Sequence, residues 1–413
     1  MEPAGKLEPQ PWMTAAATRA VLAALGAAGA QPRFVGGCVR DAVLGRPVTD
    51  VDIATTDPPE QVVALIERAG LKAVPTGLAH GTVTAIARGR PFEVTSLRID
   101  VETYGRHAKV AFTDDWQADA ARRDLTINAL SCTPDGRIFD YFGGLDDLRS
   151  GRVRFVGDPR ARIREDYLRL LRFFRFHAHY GRGAPDPDGL AAAGELAPEA
   201  ANLSGERVRA ELLRLLAAPD PVPVLTVMAA HGVLGVFLPD ARDPTALAAL
   251  LAIEPDRAAP DAVLRLAALL PPDPAVGRKV AERLRLSRAE QARLVALLEP
   301  SEAVRGGDDK ALRAALYRGG AAILADQWRL AWARLGPDER RARREALDAA
   351  LGVAAGWRPR PFPLKGRDAT ARGVPAGPRV GQLLAAVEAW WVAEDFAPDR
   401  AACLAKLEEL ARG

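Results

Sequence analysis

Lysine and cysteine are both scarce in this chain of 413 residues. Only seven of its 56 basic residues are lysine, and Cys38, Cys132 and Cys403 are far apart and never form a CxxC pair. This spacing argues against a disulfide framework or a cysteine-based zinc site. The five histidines include no HExxH motif and no His-Asp dipeptide, so zinc proteases and His/Asp phosphohydrolases lack their ligands here.

Long hydrophobic runs and a signal peptide are missing as well. Charged residues interrupt every Ala/Leu-rich stretch before it reaches the ~18 residues that cross a bilayer, and Met1 to Pro11 lacks the basic-then-apolar order of a signal peptide. We therefore expect a cytoplasmic protein with no membrane partner. The net charge of +3 does not identify a nucleic-acid binder. Arginine suits bidentate contacts with phosphates, but a GC-rich coding bias produces the same excess.

The chain changes character near residue 150. Before it, short β-type runs bounded by turn residues predict strands at Arg33 to Gly36, Asp50 to Ala54, Thr82 to Ala87, Phe92 to Ser96 and Arg137 to Asp140. Helices are expected over Cys38 to Leu44, Pro59 to Ala69 and Ala118 to Ala129. Beyond Gly151 the pattern is helical, with Ile163 to His179 the strongest helix and a capping box at Ser287 to Glu290. The expected fold class is α+β, a small mixed β-sheet followed by helices.

A glycine turn joins the first of these strands to a helix. Gly36 and Gly37 would expose backbone N–H groups at a helix N-terminus, which favours phosphate, and Arg40 could add a charge-assisted contact. Gly-Gly turns between strand and helix are common, so the turn alone does not establish a phosphate site.

Two carboxylates follow at Asp50 and Asp52. Alternate residues of a strand face the same way, so both acids would project together and repel unless cations bridge them. A pair of Mg²⁺ ions would activate a hydroxyl and orient a triphosphate. Glu93, within another β-type run, would supply a third acid if the two strands are neighbours. A lone DxD also occurs at solvated turns and in sugar-nucleotide glycosyltransferases, so it does not select the reaction.

Two arginine-rich segments offer nucleotide contacts. Arg122, Arg123, Asp124 and Asn128, with Thr126, supply donors and acceptors suited to ribose and phosphate. The second segment contains Asp166, Arg169, Arg172 and Arg175.

The second segment could read a base. Cytosine and adenine both present a ring-nitrogen acceptor beside an exocyclic amine, so a carboxylate from Asp166 and a guanidinium from Arg169 would accept C and A and reject U and G. The competing interpretation is an ordinary i,i+3 ion pair on a solvated helix.

Taken in order, these motifs resemble a known family. Gly36-Gly37-x-Val39-Arg40-Asp41, Asp50-x-Asp52, Arg122-Arg123-Asp124-x-Thr126-x-Asn128-Ala129, Glu165-Asp166-x-x-Arg169 and Glu206-Arg207-Val208-Arg209-x-Glu211 are similar to motifs of class II CCA-adding tRNA nucleotidyltransferases and bacterial poly(A) polymerases of the polymerase β superfamily. The resemblance implies a nucleotidyltransferase head at 31–148 after an N-terminal segment at 1–30. It also implies an all-α neck at 149–216, a helical RNA-binding body at 217–356 and a tRNA-binding tail at 357–413.

The resemblance also assigns roles. It implies two Mg²⁺ ions on Asp50 and Asp52, with Glu93 as a further catalytic acid and ATP and CTP as substrates. Nucleotide contacts are implied for Gly36, Gly37, Arg40, Arg122, Arg123, Asp124, Asn128, Asp166, Arg169, Arg172 and Arg175. RNA contacts, with the tRNA 3′ end as partner, are expected at Arg207, Lys365 and Arg367. No protein partner is inferable.

CCA-adding enzymes and poly(A) polymerases share these motifs and separate elsewhere. The tail from Phe362 to Gly381 is similar to that of bacterial CCA-adding enzymes, which favours tRNA. The stretch Leu97 to Phe112, with Tyr104, Arg106, His107 and Lys109, takes the place of the family's flexible loop. The alternatives are a poly(A) polymerase, an enzyme adding only A, a glycosyltransferase and a non-catalytic RNA-binding protein.

Overall fold

The computed structural model describes residues 2–104, 107–255, 259–304, 308–358 and 360–412, without the side chains of 100–104 and 107–109. The chain divides into two units, Met1–Pro239 and Asp240–Gly413. This division does not test the predicted domain boundaries at residues 30, 148, 216 and 356, which stay predictions. None of the described helices is long and apolar enough to span a bilayer.

The strands all lie in the first unit among the described residues. They are β1 (Gly5–Lys6), β2 (Arg33–Val35), β3 (Asp52–Thr55), β4 (Lys72–Gly77), β5 (Thr82–Ala87), β6 (Arg90–Ser96), β7 (Arg98–Tyr104), β8 (His107–Phe112), β9 (Ser131–Cys132) and β10 (Arg137–Phe139). Eight form one sheet in the order β1-β10-β9-β2-β3-β6-β5-β4, and β7 and β8 form a separate hairpin. Only β3 and β6 pair in parallel, so the sheet is mixed as predicted.

The first unit also contains helices, some between its strands in the chain and others after the last strand. They are α1 (Pro11–Thr14), α2 (Ala16–Gly26), α3 (Gly37–Val43), α4 (Pro59–Arg68), α5 (Trp116–Ala121), α6 (Gly144–Ser150), α7 (Pro159–Glu165), α8 (Leu168–Tyr180), α9 (Pro187–Leu196), α10 (Gly205–Leu216), α11 (Val222–Ala230) and α12 (Val233–Phe237). Short 3₁₀ turns lie at Leu78–His80, Thr126–Asn128 and Pro198–Asn202.

The second unit contains helices and no strand among its described residues. Its helices are α13 (Thr245–Leu251), α14 (Ala262–Ala268), α15 (Pro274–Arg283), α16 (Arg288–Leu298), α17 (Asp309–Gly319), α18 (Ala321–Ala333), α19 (Pro337–Ala342), α20 (Arg344–Gly356), α21 (Gly366–Thr370), α22 (Pro378–Ala393) and α23 (Arg400–Arg412). The predicted capping box opens α16, where Ser287 and Glu290 exchange side-chain and backbone hydrogen bonds. The α+β class, with strands first and helices after, is confirmed.

The predicted helix over Ala118 to Ala129 is wrong. The run Ala118 to Ala129 was expected to be continuous, but α5 ends at Ala121. The Asp124 carboxylate accepts hydrogen bonds from the backbone N–H of Leu125 and the amide of Asn128, a local arrangement that competes with helical bonding. The chain therefore turns here and brings Asp124 and Asn128 into the interior.

Helix α8 follows from its sequence pattern. Leu168, Leu171 and Phe174 point into the core, while Arg169, Arg172 and Arg175 follow at the same spacing of three and remain half-buried. Phe173 stacks on Phe155 with ring centroids 5.3 Å apart, which anchors the helix. The arginines are thus held at a fixed edge of the first unit.

Candidate active site

The three predicted catalytic acids lie around one parallel strand pair. Asp52 begins β3 and is the register partner of Glu93 on β6. The predicted strand began at Asp50, but β3 begins two residues later, and Asp50 lies in the exposed connection ahead of it. Thr49 donates a hydrogen bond to the Asp50 carboxylate at 3.2 Å. Strand alternation therefore does not orient Asp50, whereas sheet pairing does place Asp52 beside Glu93.

The electrostatic surroundings of Asp52 are unusual for an aspartate. Burial and then the negative charge of Glu93 raise its pKa from 3.8 to about 6, with a further contribution from Asp50 and an opposing one from Arg123. Asp52 therefore interacts with both other acids, and the positive charge of Arg123 does not cancel the combined effect of burial and those acids on its pKa.

The chemistry of these donors fits magnesium. All three are hard carboxylate oxygens, although no three His, Cys, Asp or Glu side chains in the described ranges form a ready ion-binding group. Mg²⁺ is commonly held by one or two carboxylates together with substrate phosphates, without a closed protein cage. The arrangement suits an ion that arrives with a triphosphate.

The glycine turn lies against one of the predicted arginines. Gly36 has φ +68°, and a Cβ there would stand 3.2 Å from Nη1 of Arg123. A side chain at this position would be strained and would displace the guanidinium. Since Arg123 also lowers the pKa of Asp52, this guanidinium is close enough to act on both the turn and Asp52.

Asp119 holds the arginine pair and was missed in the sequence. Its buried carboxylate accepts hydrogen bonds from Arg122 at 3.0 Å and Arg123 at 3.2 Å, and from the backbone N–H of Arg98 at 3.3 Å. Burial opposes its ionisation, but the two arginines more than compensate, so its pKa is lowered. An acid three and four residues before an arginine pair on a helix was the available signal.

A buried polar chain connects Arg40 to α8. Nη1 of Arg40 donates to Oδ1 of Asn128 at 2.6 Å, and the Asn128 amide donates to Asp124 at 3.1 Å. Nε of Arg172 donates to the other oxygen of Asp124 at 2.7 Å. Burial raises the pKa of Asp124, but the charge of Arg172 and the hydrogen bonds outweigh it and hold the value at about 2. Four predicted nucleotide-binding residues therefore form one connected network.

Glu211 on α10 is a second acid that the sequence did not single out by chemistry. It is buried and pairs with Arg175 at 2.5 Å and Arg172 at 3.7 Å. An acid beside two half-buried arginines reduces the electrostatic cost of holding them together. Its position within the Glu206 to Glu211 motif was the only sequence signal.

The side chains of Asp166 and Arg169 do not pair with each other. The predicted helix Ile163 to His179 is interrupted, because α7 ends at Glu165 and Asp166 adopts an extended backbone before α8 begins. The ion pair that the competing interpretation predicts is not formed between Asp166 and Arg169.

Each of the two has a separate support. Asp166 accepts from Arg207 at 2.6 Å and from the backbone N–H of Leu168 at 3.1 Å. Arg169 donates to Glu165 at 2.5 Å and to the backbone oxygen of Arg122 at 3.3 Å. An acceptor on Asp166 and a donor on Arg169, three residues later, are thus held by separate partners and do not neutralise each other.

The remaining predicted residues lie outside this network or outside the described residues. Lys365 and Arg367 are exposed at the start of α21 in the second unit. Arg106 and the side chains of Tyr104, His107 and Lys109 are not among the described residues. Cys38 and Cys132 are buried thiols whose pKa is raised by burial to about 12, so neither is a reactive group.

Domain comparisons match two parts of the chain. Residues 32–154 match the "Poly A polymerase head domain", and residues 184–243 match the "Probable RNA and SrmB-binding site of polymerase A". The first match contains all three acids, the glycine turn and the Arg122 to Asn128 segment.

Named relatives agree with these domains. The chain is 50% identical over 190 residues to the human mitochondrial CCA tRNA nucleotidyltransferase 1, covering 45% of this chain and 43% of the relative. It is 40% identical over 224 residues to the CCA-adding enzyme of Streptococcus gordonii, covering 54% and 55%. The chain thus spans about half the length of the curated relatives it matches.

Solved structures extend the likeness to nearly the whole chain. The CCA-adding enzyme of Bacillus stearothermophilus in complex with CTP superposes with a TM-score of 0.68 and 27% identity, over 95% of this chain and 96% of that one. The Thermotoga maritima CCA-adding enzyme complexed with tRNA superposes with a TM-score of 0.61 at 19% identity, over 95% and 94%, which supports the fold alone. In its matched domains, its named relatives and its fold, the chain is similar to CCA-adding enzymes and poly(A) polymerases.

Proposed function

We propose that this protein adds C, C and A to the 3′ end of tRNA from CTP and ATP, using two Mg²⁺ ions and a protein template for the base. The observation that carries the proposal is the arrangement of the unbalanced acids Asp50, Asp52 and Glu93 with the separately supported pair Asp166 and Arg169, all in the first unit. The named relatives support it over the part of their length that they share with this chain.

The acids serve the transfer step. Asp50 and Asp52 would hold the metal, and Glu93 beside Asp52 would assist. Bound Mg²⁺ would lower the pKa of the tRNA 3′-hydroxyl and stabilise charge on the triphosphate. The 3′-oxygen attacks the α-phosphorus, the bond to the bridging oxygen breaks, and pyrophosphate leaves. Gly36, Gly37, Arg40 and Arg123 would orient the triphosphate, since the turn and Arg123 already lie together.

The residues at and after the break between α7 and α8 would select the nucleotide. Asp166 would accept from the exocyclic amine and Arg169 would donate to the ring nitrogen, a pattern that C and A share. Uracil or guanine would leave these polar groups unpaired, at ~1–3 kcal/mol for each. Arg122, Asp124 and Asn128 would contact the ribose, and Arg172 and Arg175 the nucleotide or RNA phosphates.

RNA contacts are proposed for three exposed or half-buried cations. Lys365 and Arg367 are available to RNA phosphates. Arg207, which supports Asp166, would also lie near the RNA end. We retain the head at 31–148, neck at 149–216, body at 217–356 and tail at 357–413 as the proposed division of labour. A cytoplasmic location is proposed as well; the human relative is mitochondrial, so imaging of the tagged chain would test it.

Incorporation of single labelled nucleotides tests the function. The protein is incubated with Mg²⁺ and tRNA transcripts that end before CCA, after C and after CC. We expect CTP to be added to the first two and ATP only to the third, with no addition of UTP or GTP. Addition of ATP alone indicates an A-adding enzyme, and long A tracts indicate a poly(A) polymerase. Binding of a UDP-sugar in place of CTP and ATP would support a glycosyltransferase and overturn the proposal.

A further inference from the structure

Tyr180, the last residue of α8, makes a contact with the glycine-turn helix that the proposed chemistry does not use. Its hydroxyl donates to Oδ1 of Asp41 on α3 at 2.9 Å. Two guanidiniums lie over its ring, with Arg40 at 4.3 Å and Arg46 at 4.5 Å from the ring centroid. A tyrosine in such a position holds both cations through their attraction to its ring.

The neighbours of Tyr180 strengthen this arrangement. Phe176, one turn earlier on α8, stacks with Tyr180 at 5.7 Å and lies 5.1 Å from the guanidinium of Arg40. Arg46 also donates to the backbone oxygen of His179 at 2.9 Å, which ties the residues after α3 to the end of α8. The contact is therefore a built junction, since six residues from two segments take part.

Arg40 itself has donors to spare. Nε and Nη2 donate to the Asp41 carboxylate at 3.0 and 2.9 Å, and Nη1 donates to Asn128 at 2.6 Å. A guanidinium has five N–H groups, so one remains on Nη1 and one on Nη2 after these bonds. Nη2 lies 3.7 Å from where a Cβ on Gly37 would be, so it is next to the glycine turn.

Helix α8 is attached to the sheet-bearing part of the unit at three successive levels. Arg169 donates to the backbone oxygen of Arg122, Arg172 donates to Asp124, and Tyr180 donates to Asp41. Eleven residues separate Arg169 from Tyr180, which is about 16 Å along a helix. The base-reading end and the glycine-turn end of one rigid helix are thus anchored separately.

We infer that Tyr180 is a positioning residue for Arg40, and that it sets the affinity for the triphosphate of any incoming nucleotide without influencing the choice of base. The inference rests on the proposed function, because Arg40 acts there on the triphosphate. Tyr180 touches no reacting atom. It works by holding the guanidinium flat between Asp41, Asn128 and its own ring.

Two substitutions separate the hydroxyl from the ring. Tyr180→Phe removes the bond to Asp41 and keeps the stack, so KM for CTP and for ATP should rise by about three- to tenfold, the size of one hydrogen bond. Tyr180→Leu removes the stack as well and should raise both values by about ten- to a hundredfold. kcat should change little, and the ratio of kcat/KM for CTP to that for ATP should stay constant.

A matched control lies in the second unit. Tyr317 also bonds a carboxylate, that of Glu388, so Tyr317→Phe removes the same type of hydrogen bond and should leave both KM values unchanged. Equilibrium binding gives a readout that needs no turnover. Tyr180→Leu should weaken CTP in Mg²⁺ buffer while cytidine, which lacks phosphates, binds as it does to the wild type.

The outcomes distinguish this inference from the proposed function. If the wild type adds neither CTP nor ATP, the proposed function has failed. If the wild type is active and Tyr180→Phe and Tyr180→Leu keep their KM values, or lose cytidine and CTP binding equally, Tyr180 does not position Arg40. A shift in the CTP to ATP ratio would instead place Tyr180 in base selection and overturn the inference.

Discussion

Two aspartates of the first unit, Asp124 and Asp52, have opposite electrostatic surroundings. Asp124 is buried against Arg172 and Asn128, and its pKa falls to about 2. Asp52 faces Glu93 and Asp50, and burial together with these negative charges raises its pKa to about 6. Arg172 already neutralises Asp124 within the protein, whereas the position of Asp52 beside other carboxylates favours a cation from outside.

Asparagine at position 52 should produce the largest functional effect. Asp52→Asn removes a proposed metal ligand, so CTP incorporation should fall by about a thousandfold or more. Asp57→Asn is the matched control, because Asp57 is a buried acid just after the same strand that accepts a bond from Thr55 at 3.0 Å. Single-turnover incorporation measures both. Equal losses would remove the distinction between the two kinds of aspartate.

Asparagine at position 124 should lower stability in addition to any loss of the proposed ribose contact. Asp124→Asn leaves the half-buried Arg172 without its closest negative partner and should lower the free energy of unfolding by about 2–3 kcal/mol. Asp146→Asn breaks an exposed pair with Arg149 and should cost less than about 1 kcal/mol. Urea denaturation monitored by circular dichroism measures both. A loss no larger than that of the exposed pair would show that Asp124 is not a structural anchor.

The template pair should respond in selectivity. Asparagine and glutamine amides both donate and accept, so the double variant Asp166→Asn with Arg169→Gln should pair with U and G as well. We expect discrimination between CTP and UTP to fall by about tenfold or more, which corresponds to one mismatched polar group. Competition between the two nucleotides measures the ratio. Undiminished discrimination would place the template elsewhere.

The raised pKa of Asp52 gives a pH signature when metal is removed. The folded-state value of about 6 exceeds the ordinary 3.8, so ionisation of Asp52 opposes folding increasingly as pH rises from about 4 to 6. In EDTA, the stability of Asp52→Asn relative to wild type should therefore grow by about 1 kcal/mol across this window, after allowing for partial exposure. A constant difference, measured by urea denaturation, would mean that burial and the neighbouring acids do not raise the pKa of Asp52.

The tail should show the smallest effect. Lys365→Ala with Arg367→Ala should weaken tRNA binding by a few-fold and reduce the slope of log affinity against log salt by roughly one to two. Lys406→Ala, which breaks an exposed pair with Glu409, is the control of similar charge. Filter binding at several salt concentrations measures the slope. If the control changes the slope as much, the two tail cations make no specific contact.

Local patterns carried the sequence predictions, and distant pairings limited them. Thr82–Ala87 was predicted to the residue because its alternation is local, whereas the parallel pairing that brings Asp52 to Glu93 depends on a sheet order that no local pattern contains. The break at Asp166 arises from bonds to Leu168 and to Arg207, 41 residues away. Tyr180 lies 139 residues from Asp41, so nothing in its own segment indicated a role.

Counting bound ions tests the central claim most directly. Mn²⁺ substitutes for Mg²⁺ and is observed by electron paramagnetic resonance, so the protein can be titrated with it in the presence of CTP and absence of tRNA. We expect about two ions per chain for the wild type and for Asp57→Asn, and a loss of at least one for Asp52→Asn. If Asp52→Asn binds as many ions as Asp57→Asn with the same affinity, the unbalanced acids are not the metal site.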